Sequence, residues 1–432
     1  MSLHKAESAE GALGGDEISG IVRSALSDFS GARRALLIHP DYTREDFSHL
    51  LAPAVWGELA AAGLRRLDTL NAAGTHREMT EAAIEAKLGL DRARMPGLGT
   101  LYNHKYEEPD ALFPLEPLPA SFIEDKTGGH LRIPLPVSVN RLLSGDYDLI
   151  ISVNGTVPHE ALGYSGGTKI YFPGIAGKEV IATLHWAAVL IGIPQIIGNL
   201  ENPARDIVDA GAERIFEYAG KTPILTLTMV YNKDDQHRVV PKGLYSGQGI
   251  SGHKEALRAA AALSSRLHIR CVEEPQDVIV QQLPERYDEI WTGGKGSYKV
   301  QKPGVLAEGG EVILLAPHIT CFHSDPKMDA EIRQIGYHGI DRVLQYVAEH
   351  PDFNLNVAAH VINVRGHGRT EGGKEDFPFR VTLATGIPEE QCRAVGLGYR
   401  DPASLKPHDF KGPRRLWVPD GGEFLYAAKG EM

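Results

Sequence analysis

Residues 148–169 read DLIISVNGTVPHEALGYSGGTK, and this stretch decides the fold. Leu149 to Val153 is a mainly aliphatic run closed by Asn-Gly, the pattern of a buried strand. Thr156 to Lys169 is a glycine-rich loop, and from about Gly177 to Ile193 (GKEVIATLHWAAVLIGI) the spacing becomes helical. Strand, loop and helix in that order is the unit from which parallel sheets are built. Arg34–Pro40 (RALLIHP), Arg66–Ala73 (RLDTLNAA) and Thr222–Asn232 (TPILTLTMVYN) read as further buried strands, and His253–Leu267 as a further helix. The fold class is therefore α/β. After Glu273 and Pro275 a second series of strands and helices begins with DVIVQQL, DEIWTGG and GGEVILLAPH, then a helical DAEIRQIGYH, then FRVTLATGI. We expect two α/β domains, residues 1–272 and 273–432, with a segment at about 407–428 that returns to pack on the first.

Composition narrows the function. The chain has 432 residues, 42% hydrophobic and 23% charged, enough to bury a large core. Lys plus Arg is 45 against 56 for Asp plus Glu, and the net charge of -11 argues against a nucleic-acid or anionic-membrane partner. Any anion must meet positive charge locally. Cys271, Cys321 and Cys392 give neither a disulfide framework nor a metal clip. The N-terminal residues lack an apolar signal core, and no run approaches the roughly 18 apolar residues of a membrane span. The expectation is a soluble cytoplasmic protein.

In parallel α/β sheets, ligands gather where strands end at their carboxyl edges, so the residues just after strands carry the candidates. His39-Pro40-Asp41-Tyr42-Thr43-Arg44 follows the first strand. Asp41 and Arg44 can orient and clamp a carboxylate, or Asp41 or Thr43 can cap a helix beginning near Glu45. Gly74-Thr75-His76-Arg77 follows the second, where His76 reads either as an imidazole aimed into a cleft or as part of a polar helix start with Thr75 and Glu78 as a capping box. In the quoted loop, Gly163, Gly166 and Gly167 let backbone N–H groups approach an anion, with His159, Ser165 and Lys169 concentrated around them. It is not a Walker A loop, because Thr-Lys-Ile stands where Gly-Lys-Ser/Thr is required. His185, on the helix after the loop, is a core histidine or a metal ligand. Lys299 and Lys302, three apart after Tyr298, would share a helix face and point together at an anion, or form a solvated basic helix start. Gly247-Gln248-Gly249-Ile250-Ser251-Gly252 fits the dinucleotide fingerprint, but the nearest strong strand pattern ends some fifteen residues before it, so we set it aside. Neither HExxH nor an evident paired-carboxylate motif is present.

Taken together, DYTR at 41–44, GTHR at 74–77, PHEALGYSGGTK at 158–169, PGIAGKE at 173–179, His185 and Tyr-Lys-x-x-Lys at 298–302 resemble the nickel-dependent lactate racemase family. The resemblance runs in order over most of the chain and is tightest from Pro158 to His185. It implies two α/β domains with the active site in the cleft between them. It also implies a nickel-pincer nucleotide, pyridinium-3,5-bisthiocarboxylic acid mononucleotide nickel, held covalently by Lys169 and cradled by Ser165, Gly166 and Gly167. His185 would be the protein ligand to the metal, and His76 and His159 the two acid/base histidines. Asp41, Arg44, Tyr298, Lys299 and Lys302 would face the substrate. The implied partners are a small 2-hydroxy acid and the enzymes that assemble the cofactor, and an oligomer is compatible with the sequence.

The chemistry makes that set coherent. Removing the C2 proton of a 2-hydroxy acid is difficult because a carboxylate accepts carbanion charge poorly. A hydride route avoids the charge: one histidine takes the hydroxyl proton as C2–H leaves as hydride, giving a planar 2-keto acid that is reduced again from the opposite side. The chain departs from the lactate pattern. Lys299 replaces a glutamine, and Phe353 corresponds to a tryptophan. Polar residues gather at Pro317-His318-Ile319-Thr320 and Gly336-Tyr337-His338-Gly339. These changes favour a larger or more polar acid, a sugar acid or a dicarboxylate. Two other classes stay open: a divalent-metal lyase or aldolase with His76, His159 and His185 as direct ligands, and a phosphate- or nucleotide-binding protein in which nothing reacts.

Overall fold

The computed structural model describes residues 3–8, 10–74, 77–234 and 236–430. The chain forms two compact units, one of residues 1–184 with 200–267, the other of 185–199 with 268–432. A single cut near 272 therefore does not describe it, because the stretch 185–199 clusters with the later residues.

The first unit is organised by a sheet of β1 (His4–Glu7), β2 (Arg34–Pro40), β3 (Arg66–Ala72), β4 (Leu98–Asn103), β5 (Leu149–Gly155), β6 (Ile224–Lys233) and β7 (Val239–Gln248). Their order is β1-β7-β6-β5-β2-β3-β4. The five from β6 to β4 are parallel, while at one side β7 is antiparallel to β6 and β1 antiparallel to β7. One face is apolar: Ala35, Leu37, Ile151, Val153, Leu227 and Met229 pack with Val22 of α1 (Gly15–Leu26), Leu51 and Val55 of α2 (Ser48–Ala61) and Ile84 of α3 (Glu81–Leu88). The other face carries hydroxyls and an amide. Thr226 accepts from Ser152 at 3.1 Å and from Asn154 at 3.1 Å, and Thr156 bonds Thr228 at 2.8 Å. Three more helices belong to this region, α4 (Lys178–Ile191), which continues into the second unit, α5 (Pro203–Ala219) and α6 (Gly249–His268).

Strand β7 overturns one expectation. It ends directly at the Gly-rich run, so a strand does precede it; Pro241, Gly243 and Gly247 hide the strand pattern, and Pro241 sits at a register shift where a missing N–H is tolerated. Because β7 is antiparallel, Gln248 lies opposite Leu225 at the start of β6. That is the amino edge of the parallel strands, the wrong end for a dinucleotide crevice.

The second unit holds a parallel sheet of β9 (Gln276–Gln282), β10 (Leu306–Ala316), β11 (Phe379–Thr385), β12 (Gly398–Tyr399) and β13 (Arg415–Val418), ordered β12-β11-β10-β9-β13. A separate parallel pair joins β8 (Ile269–Val272) to β14 (Leu425–Ala428). The 407–428 stretch thus divides between the edge of this sheet and the β8 pair, both within the second unit. DEIWTGG contributes one helical turn, Ile290–Gly293, rather than a strand; the N–H groups of Ile290 and Trp291 bond the carbonyls of Cys321 and Phe322. Among the described residues no helix is long and apolar enough to cross a membrane.

Candidate functional site

The chain runs outward from β2 through β3 to β4, then crosses back to the other side of β2 for β5 and β6. Strand order therefore reverses between β2 and β5, and loops leaving that point diverge to open a crevice. The two loops are 41–47 and 156–169. Arg77, in the segment after β3, lies over the Tyr42 ring at 4.8 Å and ties that third loop to the first.

Asp41 is buried, and its Oδ1 accepts the N–H of Thr43 at 2.7 Å and its hydroxyl at 2.5 Å. This is a turn, not a helix cap. Helix α2 begins later, after Phe47 in a left-handed conformation, and it is Asp46 that accepts the Ser48 N–H at 2.9 Å and pairs with Lys87 at 3.0 Å. Arg44 is exposed. His76 and Thr75 lie outside the described residues. The expected Thr75–Glu78 capping box does not start α3: Thr80 does, accepting the Ala83 N–H at 3.2 Å, while Glu78 pairs with Lys105.

In the glycine-rich loop, His159 Nδ1 accepts the Ala161 N–H at 3.1 Å, which assigns the neutral ring's proton to Nε2. Ser165 uses its hydroxyl within the loop, accepting from Val157 N at 3.0 Å and donating to the Gly155 carbonyl at 2.8 Å. Gly166 has φ +89°, and a Cβ there would stand 2.6 Å from Thr156 Oγ1 and 2.9 Å from Asn154 Oδ1. A Cβ on Gly167 would meet Leu257 at 2.9 Å. Only glycine lets the backbone lie this close to the hydroxyl-bearing face of the sheet.

Lys169 closes the loop. Desolvation, assisted by the Arg44 and Arg205 guanidiniums and opposed by Glu160 and Asp41, brings its ammonium down to about 8. Near neutral pH about a tenth of such an amine is uncharged and nucleophilic. The loop therefore gathers Asp41, Arg44, His159, Glu160, Lys169 and Arg205 in the first unit. His39, buried at the end of β2, is held near 4 by desolvation, with Nδ1 on the Pro40 carbonyl at 2.9 Å.

The remaining candidates belong to the second unit. His185 is exposed on α4. Tyr298 is buried with Ile193, Ile197, Ile269 and Leu425. The helical turn Lys295–Tyr298 ends before Lys299, so Lys299 and Lys302 do not share a helix face as expected; Pro303 follows and disfavours helix at Lys302. Lys302 Nζ instead donates to the Ile197 carbonyl at 3.1 Å and Asn199 Oδ1 at 3.0 Å. Among the described residues no three His, Cys, Asp or Glu side chains are grouped to hold a metal ion.

The model of the lactate racemase N-terminal domain matches residues 21–193. The lactate racemase of Lactiplantibacillus plantarum is 24% identical over 268 residues, 61% of this chain and 55% of that protein. That of Thermoanaerobacterium thermosaccharolyticum is 25% identical over 228 residues, 52% and 46% respectively. The family match is thus to the N-terminal domain of lactate racemases, over residues 21–193. The chain spans about half the length of the curated lactate racemases it matches. Among solved structures, a structural-genomics target from Thermotoga maritima is 47% identical, covering 98% of this chain and 100% of its own at a TM-score of 0.84. The lactate racemase apoprotein of Thermoanaerobacterium thermosaccharolyticum shares the fold at a TM-score of 0.68, with 18% identity over 95% of this chain and 93% of that one. The N-terminal racemase match includes Asp41, Arg44, His76, His159, Lys169 and His185; Tyr298, Lys299 and Lys302 lie beyond it.

Arg205 is the residue that sequence reading missed. On α5 it shares the buried stripe of Ala204, Val208, Ala212 and Ile215. A charge on an apolar helical stripe was the available signal.

Proposed function

We propose that this chain is a racemase or epimerase that inverts C2 of a 2-hydroxy acid with a nickel-pincer nucleotide attached to Lys169. The observation that carries the reading is the Lys169 amine, brought down to about 8 inside a loop whose glycines press against a polar floor. An amine that must form a covalent bond needs an uncharged population, and a nucleotide needs cations nearby; Arg44 and Arg205 both act on Lys169. The residues present therefore fit the group. When bound, it supplies a reversible hydride acceptor. His185 would provide its protein ligand.

The chain's own residues supply the rest. Neutral His159 donates its Nε2–H to the substrate oxygen as a hydrogen bond; to return a proton to that oxygen it acts as the imidazolium, with Nδ1 released from the Ala161 N–H. His76 would be the matching base. Arg44 offers a planar fork to the carboxylate while the carbon re-orients, and Asp41 fixes the turn from which Arg44 projects. Lys299 and Lys302 extend the cationic clamp. The added charge at Lys299 favours a sugar acid or a dicarboxylate over lactate. Cofactor-assembly enzymes are the required partners.

The test is intact-protein mass spectrometry of chain co-expressed with those enzymes, followed by a screen of C2-deuterated 2-hydroxy acids. An adduct on Lys169, nickel, and epimerisation with retained label are expected. An unmodified Lys169 in active protein, or label lost to water, would overturn the reading.

A further inference from the structure

Arg205 is 4% exposed. Its Nη2 donates to the Leu162 carbonyl at 3.2 Å and to that of Tyr164, so the guanidinium lies directly beneath the glycine-rich loop. Its Nε and Nη1, which carry three N–H bonds between them, meet no hydrogen-bond partner among the described residues. That is an expensive arrangement. A guanidinium does not shed its proton, and buried donors left unpaired cost the full desolvation penalty. The carboxylate that acts on it, Asp209, is engaged elsewhere, by Thr168 Oγ1 at 2.6 Å and Lys254 at 3.6 Å. The backbone N–H of Arg205 is likewise taken, by Asn202 Oδ1 at 3.0 Å, so the unmet donors are those of the side chain.

Charge in the neighbourhood points the same way, since Lys169 feels the guanidiniums of both Arg44 and Arg205. Three unpaired N–H donors among three cations suit a tetrahedral dianion with three terminal oxygens better than a carboxylate with two. We infer that Arg205 is the receptor for a phosphate monoester beneath the loop that carries Lys169. The inference rests on the proposed function in taking that ester to be the phosphate of the tethered mononucleotide. The unmet donors are enclosed, so binding displaces residues 162–168, where Gly163, Gly166 and Gly167 all have positive φ.

The experiment uses full-length chain made without the cofactor-assembly enzymes, titrated at constant ionic strength with inorganic phosphate, nicotinic acid mononucleotide, or lactate and gluconate as the carboxylate arm. Wild type should bind phosphate and the mononucleotide at one site, with slowed hydrogen exchange across 162–168. Arg205→Lys, which keeps the charge but loses the fork, should weaken both by roughly tenfold or more and abolish the protection. Equal phosphate affinity in folded Arg205→Lys, no phosphate binding by wild type, or Arg205-dependent binding of the carboxylates alone would each overturn the inference. If the variant does not fold, the wild-type exchange map decides: protection at 162–168 supports the site, and protection elsewhere removes it. An adduct on Lys169 with no Arg205-dependent phosphate binding would sink this inference and leave the proposed function standing; the converse would do the opposite.

Discussion

Lys169 in the first unit and Lys302 in the second are both drawn into the protein, with opposite consequences. Lys302 meets the Ile197 carbonyl and Asn199 Oδ1, two acceptors for its ammonium. Lys169 is desolvated beside two guanidiniums and falls to about 8. The lesson is that a lysine's chemistry is set by what surrounds it. One environment supplies acceptors to the ammonium, the other leaves part of the amine uncharged near neutral pH. Both sheets bury polar side chains as well: Ser152, Asn154, Thr226 and Thr228 on one face in the first unit, and Glu311 with Thr382, which donates to it at 2.6 Å, in the second.

The largest test of the comparison is Lys169→Met. Racemisation and the covalent adduct should both vanish, yet the cofactor-free chain should melt higher at pH 7, because a buried cation is removed. Adduct in this variant would end the argument for Lys169. His159→Gln should follow, lowering kcat by about 10²- to 10⁴-fold with little change in melting temperature. A loss confined to KM would instead make it a binding residue.

Acid should separate the units. His39, His104 and His253 of the first unit are held near 4, and His360 of the second near 3, all chiefly by burial. These folded-state values lie below the ordinary 6.5, so the unfolded chain binds more protons and stability falls as pH drops from about 6.5 toward 4. Each fully expressed shift is worth on the order of 3 kcal/mol. Hydrogen exchange at stepped pH should show the first unit opening before the second, and simultaneous opening would contradict the contrast. Lys302→Met should cost about 1–3 kcal/mol by stranding two acceptors, read as a lower melting temperature. If KM for the hydroxy acid rises as well, Lys302 also serves the clamp. Smallest of all, Thr80→Ala should cost about 1 kcal/mol at the start of α3, without effect on the Lys169 adduct.

Much of the fold was legible. Arg34–Pro40 matches its strand to the residue, and Asp148–Gly155 and Arg66–Ala73 match to within one, because short aliphatic runs ended by turn residues mark buried parallel strands even where a few polar side chains interrupt them. Strand β7 was not, since Pro241 and two glycines erase a pattern that hydrogen bonding to β6 restores. At the site, the spacing of His159 and Lys169 within a glycine-rich loop was visible. Missed were the role of Asp46 rather than Asp41 at the start of α2, the break after Tyr298, and Arg205, whose significance depends on which atoms it fails to meet.

The sequence by itself determined the alternation of strand and helix, the second series after Pro275, and the residue types at the carboxyl ends of the strands, because periodicity and loop composition are local properties of the chain. Only the tertiary structure decided the reversal of strand order between β2 and β5, the antiparallel sense of β7, the transfer of 185–199 to the second unit, and the different states of Lys169 and Lys302. Those depend on neighbours distant in sequence, since burial and charge act through space and leave no periodic trace along the chain.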